Sequence, residues 1–195
     1  MARLRPHHRS AAGRALVSGF TIRAATAADA QTIAALNFAC WRETYESLLP
    51  ADVFAALTLE ERLDHWRGVF QTGGGCVALT EDADGAAAGF THWRAHELVL
   101  GGRLGRGGEI CAIYLRRVAQ GRGLGRNLMW LMAQEMRESG LHWASLTVLR
   151  DNGAARSFYE AMGARRFGRE LSWRGVPQVA YGWRDVGGLA RAATV

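Results

Sequence analysis

The spacing of hydrophobic and polar positions changes period several times along the chain, and the changes trace an α/β order. Residues 19–25 alternate Phe20, Ile22 and Ala24 with other positions, the two-residue period of a strand. Thr26 and Asp29 have capping-box spacing, and the helix they open, over about 27–45, sets Ile33, Leu36, Phe38, Cys40 and Trp41 mostly on one stripe. Pro50 interrupts the pattern. Two short helices follow over 51–57 and 59–69, the second opened by Thr58 with Glu61 three residues on. The turn Gly73-Gly74-Gly75 leads into a strand over 76–80, and Asp84-Gly85 signals a hairpin into a strand over 86–94. The glycines of 101–108 predict a flexible loop before a strand over 109–115. A turn over 116–122 opens a helix over 123–139, with Leu124, Leu128, Leu131, Met132 and Met136 at helical spacing and Gly140 as its stop. A largely apolar strand over 143–149 follows, then a helix capped by Asp151 or Asn152 and closed by Gly163. Two strands, about 164–173 and 178–184, flank the turn Arg174-Gly175.

This order predicts one α/β domain, with a mixed, mostly antiparallel sheet of six to seven strands and about four helices. The length of 195 residues and the 49% hydrophobic content suit a single globular core. Its expected limits are 19–185, between a disordered basic tail at 1–18 and a C-terminal tail at 186–195. No apolar run reaches the ~18 residues a membrane span needs, so a soluble, cytoplasmic protein without a membrane role is expected.

Charge narrows the picture. The formal net charge is +6, but Arg3, Arg5, Arg9 and Arg14 supply +4 of it; the remaining 20 Arg against 18 acids leave only +2. The folded part is not basic enough to suggest a nucleic-acid partner. The tail faintly resembles a mitochondrial transit peptide, though a flexible extension is the plainer reading. All 24 basic residues are Arg, which excludes a Schiff-base or P-loop lysine. Cys40, Cys76 and Cys111 are far apart, have apolar neighbours and read as buried reduced thiols. No metal site is indicated; His7-His8 is an adjacent pair in the tail and cannot close one alone.

The chemistry concentrates in the strand–turn–helix segment 109–126. A helix N-terminus offers unpaired amides and a partial positive charge, and Gly121, Gly123 and Gly125 remove side chains that would hold a phosphate away. Arg122 and Arg126 add charge. The pattern is neither a P-loop nor the dinucleotide fingerprint, since position 126 is Arg where the third glycine would fall; it reads Q-x-x-G-x-G. Alone, it fits a phosphate ligand or a bare turn.

This segment resembles the coenzyme A signature of the GNAT superfamily of N-acetyltransferases, and the chain is similar to an uncharacterised bacterial branch of it through Trp41, Tyr45, Leu49 and Pro50. The resemblance covers roughly residues 20–184. It implies that the turn Gln120, Gly121, Arg122, Gly123, Leu124, Gly125, Arg126 holds the CoA pyrophosphate, and that Ile113, Tyr114 and Leu115 pair through their backbone with the pantetheine arm. The stretch 147–164 resembles the family's N-x-x-A-x-x-[FL]-Y-x-x-x-G. This implies a pantetheine contact for Asn152, room for it beside Ala155, and a place for Tyr159 near the thioester sulfur. Asn152 as a plain cap and Tyr159 as a core aromatic are the alternatives.

The implied activity is direct acetyl transfer from acetyl-CoA to a primary amine, with Tyr159 as general acid and Glu109 as candidate base. A CoA-binding regulatory module without turnover is the alternative. His92 and His96 are rival bases. Trp41, Tyr45 and Trp93 either wall the acceptor pocket or belong to the core. The acceptor, a small molecule or a peptide amine, is expected between 45–70 and 95–108, where the superfamily varies; dimers are common in it.

Overall fold

The computed structural model of the chain describes residues 15–17, 19–100 and 103–193. The basic tail up to residue 14, with His7-His8, and the Gly101-Gly102 pair lie outside the described residues.

The elements run β1 (Ala15–Val17), β2 (Phe20–Ala24), α1 (Ala30–Tyr45), α2 (Ala51–Ala55), α3 (Leu59–Thr72), β3 (Cys76–Glu81), β4 (Ala87–Leu100), β5 (Arg103–Leu115), α4 (Leu124–Glu138), β6 (Trp143–Leu149), α5 (Gly153–Ala161), β7 (Arg165–Trp173), β8 (Val176–Trp183) and α6 (Val186–Ala193). Single 3-10 turns precede α1 and α4. The strands form one sheet of eight in the order β1-β2-β3-β4-β5-β6-β8-β7, antiparallel except for the β5–β6 pair.

The caps act as the sequence predicts. The Asp29 carboxylate accepts from the Thr26 amide at 2.8 Å, and the Thr58 hydroxyl accepts from the Glu61 amide at 3.1 Å. Ile33, Ala34, Leu36 and Cys40 of α1 pack with Trp66 of α3 against Leu79 and Phe90 of the sheet. A second cluster joins Met129, Met132 and Met136 of α4, Tyr159 and Met162 around α5, and Leu189 of α6 to β6 and β8.

Three boundaries differ from expectation. Residues 15–17, placed in the tail, form β1 and pair with Phe20–Ile22 across a turn at Gly19. Residues 186–193, read as the C-terminal tail, form α6. Val186, Leu189 and Ala190 recur at helical spacing and are buried in the main core. Most instructive is the glycine-rich stretch. Residues 103–108 are strand, not loop, and pair with Ala95–Leu100 of β4 in one long hairpin. A Cβ at Gly107 would lie 2.1 Å from the Trp143 ring, and one at Gly108 would lie 2.5 Å from Met136 Sδ. These glycines therefore admit large side chains against the strand; they do not loosen it.

Candidate active site

The two central strands separate. β5 and β6 pair only over Gly107↔Trp143, Gly108↔Ala144 and Glu109↔Ser145, and beyond Glu109 β5 has no β6 partner. Close by, β5 carries a bulge: Trp93 faces Ile110 and His92 faces Ala112, leaving Cys111 unopposed. A bulge bends its strand and shifts the side-chain alternation by one. Glu109, Ala112 and Tyr114 therefore share the face of their partners Arg94, His92 and Phe90, while Ile110 turns with Trp93 into the core under α4.

The gap is a cleft of about 770 Å³, walled by residues 110–115, residues 146–148, the glycine turn, the start of α5 and the end of α1. Its floor is the sequence-predicted turn. Gln120 Nε2 donates to the Leu115 carbonyl at 2.9 Å. Gly121 and Gly123 have φ of 73° and 74°, which L side chains rarely adopt. Among the described residues, the amides of Gly121, Arg122, Gly123, Leu124 and Gly125 donate to no carbonyl or side chain, and no side chain caps α4. Bare amides at the positive end of a 15-residue helix make a cradle for an anion.

The flanking side chains divide. Arg126 lines the cleft, as does Arg117, which the sequence reading missed. Arg122 instead lies 5.9 Å over the Phe20 ring, and the Leu124 side chain is buried beside Phe20 and Leu128, so these two residues offer only their amides. Glu43 of α1 clamps the turn: its carboxylate accepts from Arg116 Nε at 2.7 Å and from the Arg117 amide at 2.8 Å. Burial alone would raise the Glu43 pKa. The Arg117 amide and the Arg116 guanidinium outweigh it and hold the carboxyl below its ordinary range.

On the opposite wall, Asn152 Oδ1 accepts from the Ala155 amide at 3.1 Å, so Asn152 does cap α5, and it also faces the cleft beside Ala155 and Tyr159. Tyr159 is nearly buried; loss of solvent, and secondarily Tyr45, push its hydroxyl pKa well up, so it stays protonated at neutral pH. Tyr45 reaches in from α1 to Tyr114 of β5, with hydroxyls 3.3 Å apart. Ile113 and Leu115 line the same cleft along the stretch of β5 that is paired with β4 but has no partner on the β6 side.

A second cavity, of about 610 Å³, lies toward α1 and α3. It shares Ile110, Cys111, Ala112, Tyr114 and Thr147 with the first, so the two chambers meet across the bulge. Cys111 is thus an exposed wall residue and not the buried thiol expected from its neighbours, whereas Cys40 is buried and its thiol is pushed up to about 12 by loss of solvent. Glu109 stands in this second chamber, where Arg94 holds its carboxylate at 2.7 and 2.8 Å. His92 and Trp41 line it too. Trp93 does not; its indole donates to Glu135 at 2.7 Å on the other side of the sheet. His96 packs edge-on to Trp143 and lines neither chamber. Of the expected acceptor segments, Tyr45, Ser47 and Leu48 line the first cleft and 62–69 contributes to the second chamber, whereas 95–97 and 105–108 belong to the paired strands β4 and β5 and line neither cavity. No three His, Cys, Asp or Glu side chains gather into a metal set among the described residues, and no helix there is long and apolar enough to cross a membrane.

Residues 33–164 match the model of the acetyltransferase (GNAT) family. The chain belongs to that family. An uncharacterised N-acetyltransferase of Bacillus subtilis, YuaI, is 28% identical over 172 residues, 87% of this chain and 95% of the relative. Two solved GNAT-like structures share the fold. The PaiA N-acetyltransferase of Thermoplasma acidophilum, in complex with coenzyme A, gives a TM-score of 0.62 at 17% identity, over 83% of this chain and 97% of that one. The putative acetyltransferase YncA of Salmonella typhimurium, with acetyl-CoA, gives 0.59 at 19% identity, over 85% and 93%. The parted strands and the glycine turn of this GNAT chain thus belong to a fold solved elsewhere with the cofactor present.

Proposed function

We propose that this chain transfers an acetyl group from acetyl-CoA to a primary amine by direct attack within a ternary complex. The supporting observation is that two chambers of different character meet at the bulge of β5. One ends on the bare amides of residues 121–125, which suit a pyrophosphate; the other holds Glu109, His92 and Trp41, which suit a second reactant. Reactants held on either side of Ala112 and Tyr114 avoid most of the entropy cost of a bimolecular encounter.

The roles follow from position. The turn amides, with Arg117 and Arg126, take the pyrophosphate, and the open β6-side edge of β5 at Ile113, Tyr114 and Leu115 pairs with the pantetheine amides. Asn152 and the small Ala155 line its path. Tyr159, held protonated by burial, donates to the leaving thiolate. The amine's proton leaves on the second-chamber side, where Glu109 and His92 stand.

The test is thiol release from acetyl-CoA in the presence of an amine panel: a polyamine, an aminoglycoside, free amino acids and a peptide with an unblocked N-terminus. Amine-dependent release with an acetylated product is expected. Stoichiometric CoA binding without release by any amine would replace this reading with a cofactor-binding module.

A further inference from the structure

Two groups in the acceptor chamber could take the amine's proton, and they are built differently. Glu109 already has a charge partner, because Arg94 Nε donates to its Oε2 and a second guanidinium nitrogen lies 2.7 Å from the same oxygen. His92 is 5% exposed, and its Nε2 lies 3.0 Å from the Gly74 carbonyl. A carbonyl oxygen can only accept, so Nε2 carries the hydrogen and the lone pair of the neutral ring resides on Nδ1.

The contact is built into the fold. The Gly73-Gly74-Gly75 turn presses on the edge of β4, and Gly75 has a φ of 131°. A Cβ there would stand 2.2 Å from the Trp93 carbonyl oxygen and 3.1 Å from His92 Nε2. The turn can deliver its carbonyl to the imidazole only because it carries no side chain. The Trp66 ring, edge-on at 5.6 Å, restrains the imidazole from the helix side. His92 is also paired across the strands with Ala112, the small residue in the wall between the chambers.

We propose, resting on the acetyl-transfer reading, that His92 is the catalytic base, its Nδ1 lone pair held ready by the Gly74 carbonyl, and that Glu109 with Arg94 orders the polar end of the chamber. In the step, an ammonium acceptor gives one proton to Nδ1. The freed amine lone pair forms the C–N bond at the acetyl carbonyl, and the C–S bond breaks. Tyr159 protonates the departing sulfur and recovers its proton from the attacking nitrogen; the imidazolium proton passes to solvent.

Charged and titratable neighbours surround His92 from every side of the chamber: Arg94 on its own strand, Glu109, Cys111 and Tyr114 on β5, and Arg62, Asp64 and His65 on α3. Burial is the largest influence and keeps the imidazole below the ordinary histidine pKa. The Gly74 bond and Glu109 oppose it, and His65 and Arg94 add to it. The ring is therefore neutral, with a lone pair available, at pH 7.

The experiment uses the full chain and the panel amine that turns over fastest. His92→Gln keeps a donor for Gly74. It is expected to lower kcat/KM by about 10²–10³-fold, to remove the acid limb of the kcat/KM–pH profile and to leave CoA affinity unchanged. Glu109→Gln is expected to keep that limb. Independently of turnover, long-range ¹⁵N spectra of the wild-type imidazole at pH 7.5 are expected to show Nε2 protonated and Nδ1 bare. Retention of rate and acid limb in His92→Gln, or the opposite tautomer, overturns the assignment of His92 alone. Failure of the wild type to release thiol with any amine overturns the transfer reading, and this role with it.

Discussion

The Tyr45 hydroxyl at the end of α1 stands 3.3 Å from the Tyr114 hydroxyl on β5, and both lie close enough to Tyr159 to act on it or be acted on by it electrostatically. Three phenols thus crowd one end of the cleft, and only Tyr159 comes from the wall opposite the glycine turn. Replacing Tyr159 with Phe is expected to lower kcat by about 10²-fold or more, the usual scale for a lost general acid, with CoA affinity within about threefold. Tyr45→Phe is expected to cost less than about tenfold. Single-turnover kinetics alongside calorimetric CoA titration separates the two effects, and unchanged turnover in Tyr159→Phe would remove it from the mechanism.

Gly123 needs no space for a Cβ, since none of its neighbours lies within reach, but its φ of 74° and its amide's place at the head of α4 both matter. Gly123→Val is expected to weaken CoA at least about tenfold, or ~1.4 kcal/mol, by turning the amide cluster and crowding the phosphate. The strain of a β-branched residue in the left-handed region is expected to cost the fold about 1–2 kcal/mol. Isothermal titration and urea melts read these separately; undiminished CoA affinity would show that the amides do not hold the pyrophosphate.

Gly107→Ala tests the packing claim away from the cleft. The added methyl would meet the Trp143 ring at 2.1 Å, in a place where the backbone is paired on both sides. Overpacking of this kind is expected to cost about 1–3 kcal/mol. A urea midpoint equal to the wild type's would mean that Trp143 can swing clear and that the glycine is not needed there.

Stability should also carry a signature of Asp29. Its carboxylate takes two bonds from Arg23, at 2.8 and 3.0 Å, and Arg23 is shared with Glu81. The Arg23 hydrogen bond, opposed by burial and helped by Thr26, brings the Asp29 pKa from 3.8 down to about 2. A carboxyl with a depressed pKa stabilises the fold above its unfolded value, and that contribution is lost as pH falls through the folded value. Asp29→Asn is therefore expected to cost about 1–2 kcal/mol at pH 6, after allowing for solvent screening, and almost nothing near pH 2. Urea unfolding of both proteins at the two pH values checks it; a gap that stays constant would mean Arg23 contributes little through Asp29.

Much of the site was readable because its signals are local. Gln120, Gly121, Gly123 and Gly125 fall in one turn, and Asn152, Ala155 and Tyr159 repeat along one face of a short helix; the structure brings all seven to the same cleft, while the Leu124 side chain and the Arg122 guanidinium turn away from it. What escaped depends on partners far along the chain. Nothing near Gly107 announces Trp143, so a glycine admitting a large ring looks like a glycine loosening a loop. Nothing near Glu43 announces Arg116 and Arg117. α6 had its signal in Val186, Leu189 and Ala190, but Gly187 and Gly188 between them masked it, since glycine weighs against a helix that only burial on α4 can justify. The Cys111 bulge has no sequence mark at all, so the face on which Glu109 stands could not be read from the chain.

That one surplus residue sits where the two chambers meet, so the bend of β5 and the boundary between them share one position. Deleting it would leave the same pairs in a plain ladder, Glu109 opposite Arg94, Ile110 opposite Trp93 and Ala112 opposite His92, with every facing kept and the bend removed. Such a deletion would flatten the wall between the chambers without turning a single side chain over, so the strand's curvature and its register are separate features that a variant can change one at a time.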